Sequence, residues 1–80
     1  MDSAEVTKVL REFFVEREGA GILEVIEDID FVEEGIIDSI DLVTLAAFIE
    51  EKLGKRIDPT DCDTLDAVRR FGTLVALVTD

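Results

Sequence analysis

Val6, Val9, Leu10, Phe13 and Phe14 recur at spacings of three and four between charged residues, which places them on one face of a helix predicted from Ser3 to about Glu16. Ser3 is placed to cap its start, Glu5 lies in its first turn, and Gly19 and Gly21 in the run EREGAG end it. From Gly21 to Asp38 the period is lost. Ile22, Ile26 and Ile29 permit a helical turn, but the segment reads as a long connection whose apolar residues pin it across the core.

Periodicity returns at Asp38, which suits an N-cap, with Asp41 three residues on and with Ile37 and Leu42 spaced as a hydrophobic staple. Ser39 then opens a second helix that runs to about Leu53 and stops at Gly54, with Lys52, Lys55 and Arg56 complementing the negative end of its dipole. Leu42, Leu45, Ala46, Ile49 and Leu53 form its core stripe. Ile40, Val43 and Ala47 point well away from that stripe, with Glu50 and Glu51 to either side. This second strip is either covered by the long connection or another helix, or left as an exposed apolar surface edged with acids.

Asp58 before Pro59 suits the cap of a short helix or two turns in TDCDTLDAV. Phe71, Leu74, Val75 and Val78 give the inner face of a last helix, with Gly72 or Thr73 near its start. No repeat, linker or low-complexity stretch interrupts the chain, so residues 1–80 are expected to form a single all-α domain, an antiparallel helical bundle with one long first connection.

Composition changes the functional picture more than the fold. The formal net charge of −12 repels phosphate backbones and anionic bilayers, which argues against nucleic acid and membrane partners and in favour of basic protein surfaces. From Glu24 to Asp41 no base occurs. The N-terminus lacks the pattern of a secretory signal and no apolar run could span a bilayer, so a cytoplasmic monomer is expected. Cys62 has no second cysteine to pair with and is expected to serve as a small buried hydrophobe.

The chain contains no histidine, which removes the usual base for a serine nucleophile, and with one cysteine it offers no zinc-type ligand set. DCDTLD imitates the start of a calcium loop but lacks its later glycine and glutamate, so no metal site is assigned. Ser39, on the first turn of a helix within an acidic and partly apolar surface, is a poor nucleophile alone but a good acceptor when a second enzyme brings the base and the electrophile. A phosphate there would lie near the positive end of the helix.

GIIDSIDLVTLAAFIEEKLG resembles the acyl carrier protein family, whose Asp-Ser-Leu motif starts the second helix and whose serine receives 4'-phosphopantetheine from coenzyme A. The resemblance continues through FGTLVALV and so covers essentially the whole chain. It implies a four-helix bundle with a short third helix, Ser39 as the covalent anchor, and Asp38 as its flanking acid. It further implies a docking face of Ile40, Asp41, Val43, Ala47, Glu50 and Glu51. The implied partners are a phosphopantetheinyl transferase and acyl-loading and acyl-transfer enzymes with basic docking surfaces, and the implied activity is carriage rather than catalysis. Thr44 stands where many fatty-acid carriers have another acid, and Phe71-Gly72-Thr73 is also similar to aminoacyl or peptidyl carriers, including those of D-alanyl transfer. A reading of another class is an unmodified acidic helical adaptor that uses the apolar strip for docking alone.

Overall fold

A computed structural model describes residues 2–79, and among them the secondary structure is entirely helical. Four α-helices, α1 (Ser3–Glu18), α2 (Ser39–Leu53), α3 (Cys62–Val68) and α4 (Phe71–Val78), are joined by a long first connection that opens with a 3-10 turn, Ala20–Glu24. Helix α1 packs against that turn, α2 and α4, while α3 packs against α4. Arg17 near the end of α1 meets Asp41 in the first turn of α2, and Phe13, one turn earlier, meets Phe48 further along α2. The two helices therefore run antiparallel.

The expected inner faces are the observed ones. Val6, Leu10, Phe13 and Phe14 of α1, the five residues of the α2 core stripe, and Phe71, Leu74 and Val78 of α4 are all buried, with Val75 partly so. The five phenylalanines form one connected cluster. Phe14 lies edge-on to Phe13 and Phe71, with ring centroids at 5.3 and 6.4 Å, and Phe13 meets Phe48 at 5.0 Å.

The first connection crosses the core as its apolar content implies. Ile22, Ile26, Phe31 and Ile37 are buried, and Phe31 stacks on Phe14 with ring centroids 4.4 Å apart. Its backbone is tied down as well, since Phe31 N–H donates to Arg69 O at 2.7 Å and Phe31 O accepts from Ile36 N and Ile37 N at 2.8 and 3.0 Å. Asp30 organises the same bend: one carboxylate oxygen accepts from Val32 N and Glu33 N, the other from Arg69 Nε at 2.9 Å. The Glu33 amide first, and then Arg69, hold this carboxyl below its ordinary range. Gly35, at φ 74°, supplies the left-handed residue that returns the chain toward α2.

Two caps and one side chain differ from expectation. Asp2, not Ser3, caps α1, accepting from Glu5 N at 3.0 Å, and a carboxylate there also meets the positive end of the helix. Asp58 does not cap α3. It accepts from Thr60 N and Oγ1 in a turn closed by Asp61 N to Asp58 O, with Pro59 at the turn's second position, and Asp61 caps α3 three residues later. Cys62 is exposed rather than buried, because the later start puts it on the solvent side of the first turn of α3.

Truncating the stacked ring should be costly. Phe31→Ala is expected to lose about 3–5 kcal/mol, a large share of the ~4–12 kcal/mol available to a chain this short, while Phe31→Leu loses clearly less. Urea denaturation followed by far-UV circular dichroism checks both values.

Candidate functional site

Helix α2 begins where its local sequence says it should. Asp38 is the N-cap in extended conformation, and the cap is reciprocal: Asp38 Oδ1 accepts from Asp41 N at 2.8 Å, and Asp41 Oδ2 accepts from Asp38 N at 3.2 Å. Ile37 and Leu42, the expected staple, are both buried on the inner side of this start. At the other end Gly54 adopts φ 69°, ψ 12°, the left-handed stop expected of it.

Ser39 is the first residue of α2 and is exposed. Among the described residues no hydrogen bond engages its hydroxyl, which is free to be approached from solvent. The adjoining strip is open too: Ile40 is 75% exposed and Val43 56%, and Ala47 is exposed beside them. Neither the first connection nor another helix covers the strip. Glu50 and Glu51 lie exposed beyond it, Glu50 within 3.5 Å of Arg56.

Asp41 is the exception on this face. Its side chain is 20% exposed, with one oxygen in the capping box and the other accepting from Arg17 Nη2 of α1. The Arg17 guanidinium is itself braced over the Phe13 ring, 5.4 Å from the centroid. Sequence reasoning missed this pair because the partners are 24 residues apart and no local pattern links them. The one available signal was that no Lys or Arg stands between Arg17 and Lys52. Beside the pair, Phe13, Glu16, Thr44, Ala47, Phe48 and Glu51 line an open groove of about 390 Å³ between α1 and α2. Thr44 Oγ1 turns back to donate to Ile40 O at 3.3 Å.

The chain holds no histidine, and the carboxylates beside Ser39, those of Asp38 and Asp41, are engaged in the cap. The arrangement fits an acceptor. An incoming phosphate group on Ser39 Oγ would sit at the first turn of a 15-residue helix, near the positive end of its dipole, with open solvent on its outer side.

The comparisons with known proteins agree with that chemistry. The family model described as "phosphopantetheine attachment site" matches residues 8–75, a span that contains Ser39. A protein of Saccharopolyspora erythraea named "acyl carrier protein" is 28% identical over 87 aligned positions that cover 95% of this chain and 92% of that protein. No solved structure matches the chain at a significant level.

The cap carries a pH signature. The Asp41 amide is the main influence that lowers the Asp38 carboxyl from its ordinary 3.8, and the Asp41 side chain, the Ile40 amide and Arg17 lower it further, while partial burial opposes them. The fold thus favours the ionised form. Its contribution is complete above about pH 3.8 and is lost as pH falls through the lower folded-state value. Asp38→Ala is therefore expected to melt at a lower temperature than the unsubstituted protein at pH 7. The gap should close below about pH 3.8 in melts followed by circular dichroism.

Proposed function

The chain belongs to the acyl carrier protein family, whose members bear 4'-phosphopantetheine, and from that membership we propose that it carries acyl groups as thioesters on an arm attached to Ser39 Oγ. The observation that carries the residue assignment is the exposed, unengaged Ser39 hydroxyl on the first turn of α2, flanked by the open Ile40, Val43 and Ala47 strip. In the attachment step the Ser39 oxygen forms a new bond to phosphorus and the pyrophosphate linkage of coenzyme A breaks. The adenosine bisphosphate half leaves and the hydroxyl proton passes to a base of the transferase. When attached, the arm supplies a terminal thiol that holds the cargo. This chain's own residues set the anchor in place and present a surface to successive enzymes.

That surface is the α2 strip with its acids. Ile40, Val43 and Ala47 offer apolar contact, Glu50 and Glu51 offer charge to basic partners, and Asp38 and Asp41 hold the helix start that positions the anchor. The fitting partners are a phosphopantetheinyl transferase and the acyl-loading and acyl-transfer enzymes of lipid or secondary-metabolite synthesis. Phe71-Gly72-Thr73, which in sequence pointed equally to aminoacyl or peptidyl carriers, has a structural use here. Thr73 Oγ1 lies 2.5 Å from Ala67 O and 3.0 Å from Arg70 O, stitching the end of α3 to the start of α4. The aminoacyl or peptidyl reading stays the alternative.

Incubation with coenzyme A, magnesium and a broad-specificity transferase is expected to add one phosphopantetheine mass to the protein and none to folded Ser39→Ala, as read by intact-mass spectrometry. A normal gain in Ser39→Ala places the anchor elsewhere, and no gain in the unsubstituted chain favours an unmodified adaptor.

Docking on α2 is tested separately. Glu50→Lys with Glu51→Lys should raise the transferase KM several-fold at low salt, and the effect should shrink at physiological ionic strength, where charges more than about 8 Å apart are screened. Val43→Asp should raise KM at every salt concentration, because it disrupts apolar contact.

A further inference from the structure

Asp41 lies two residues from Ser39 and is the first-turn acid nearest the candidate anchor, yet its outward oxygen already has a cation on it. That cation comes from α1, not from a partner. We propose that Arg17 determines docking specificity by covering Asp41, so that partner enzymes dock on the apolar strip with Glu50 and Glu51 and must displace Arg17 before they can use the first-turn acid. This rests on Ser39 being the phosphopantetheine anchor.

Three features of the site support a cover rather than a chance surface pair. Arg17 is held on two sides, by Asp41 Oδ1 and by the Phe13 ring 5.4 Å from its guanidinium carbon, which fixes the geometry of a long side chain that would otherwise wander. The partner is immobile too, because the other oxygen of Asp41 is bound by Asp38 N in the capping box. The pair is nonetheless not sealed, since the side chains remain 31% and 20% exposed, so the interaction is weak enough to exchange with a partner's base.

A displaced guanidinium has somewhere to turn. Arg17 already lines the open groove of about 390 Å³ between α1 and α2, and Glu16 and Glu51 share that lining and can receive the charge. Exchange would thus swap one carboxylate partner for another instead of stranding a cation. Enzymes that read Asp41 meet a competitor held from another helix, whereas Glu50 faces only the far more exposed Arg56, 3.5 Å away with its side chain 85% exposed, and Glu51 lies open beside it.

The test is a double-mutant cycle on transferase loading of the full chain with coenzyme A. Arg17→Gln is expected to lower the KM for the carrier by about 2–5-fold with kcat unchanged and to steepen the salt dependence of kcat/KM, because it uncovers an acid. Arg17→Lys, which keeps the charge, should restore the original KM. Asp41→Asn should raise KM more in the Arg17→Gln background than in the unsubstituted one. A merely structural role would shift the melting temperature but give equal Asp41→Asn effects in both backgrounds and no KM decrease. Either of those results overturns the proposal. Should Arg17→Gln not fold, Arg17→Met serves in its place: a KM lowered by about 2–5-fold supports the covering, and a KM at the original value overturns it. A chain that gains no phosphopantetheine at Ser39 overturns the anchor reading and this proposal with it, whereas normal loading with an unresponsive KM overturns this proposal alone.

Discussion

Phe31 is held by its side chain and by both of its backbone groups at once, and the placement of α2 depends on that triple hold. Its ring stacks on Phe14 in the aromatic cluster, its N–H reaches Arg69 O, and its carbonyl takes the amides of Ile36 and Ile37. Those last two residues lead directly into the Asp38 cap. A connection this long in so small a domain has many conformations to lose, and scattered surface contacts would not offset that loss. Burying Ile22, Ile26, Phe31 and Ile37 does, because each one converts loop length into core. The start of α2 is therefore set by the core and not only by its own cap.

Legibility followed the distance over which each signal acts. Helix α2 could be read to the residue because its cap, its apolar period and its stop glycine all lie within one segment and agree with one another. The choice between Asp2 and Ser3, or between Asp58 and Asp61, was not legible in that way. Neighbouring residues with equal capping ability are separated only by how the helix seats on its neighbours. Cys62 followed from the second of these, since moving the cap by three residues turns the face that Cys62 occupies. The fate of the Ile40, Val43 and Ala47 strip was likewise open in the sequence, because periodicity gives the direction of a face and not what lies opposite it. Arg17 with Asp41 and Arg69 with Asp30 join distant segments and left no trace in the local pattern.

Three of the eight bases of this acidic chain sit at its joints. Arg69 and Arg70 tie the α3–α4 corner to Asp30 and to Asp28 O of the first connection, and Arg17 ties the end of α1 to the start of α2. Pairs this exposed contribute little stability, and their effect is on orientation. They leave Glu33, Glu34, Glu50 and Glu51 exposed, so the repulsion among like charges that weakens the fold also gives the surface a negative field.

A carrier and an adaptor would share most of this architecture, and Ser39 is where they part. An adaptor needs only the strip, and an exposed serine beside it could as well be any small polar residue. A carrier needs a hydroxyl that the fold positions and does not consume. Asp38 meets that need by taking over the capping role, which in many helices falls to a serine itself. With the carboxylate one residue earlier doing the capping, the Ser39 hydroxyl is left without a hydrogen-bond partner among the described residues, at a fixed point on the first turn of the helix. The absence of histidine fits the same division of labour, because a chain unable to activate its own serine can be modified only when an enzyme brings the base to it. On the proposed reading, cap and acceptor are adjacent but separate residues, and that separation lets a stable helix start also be the attachment point.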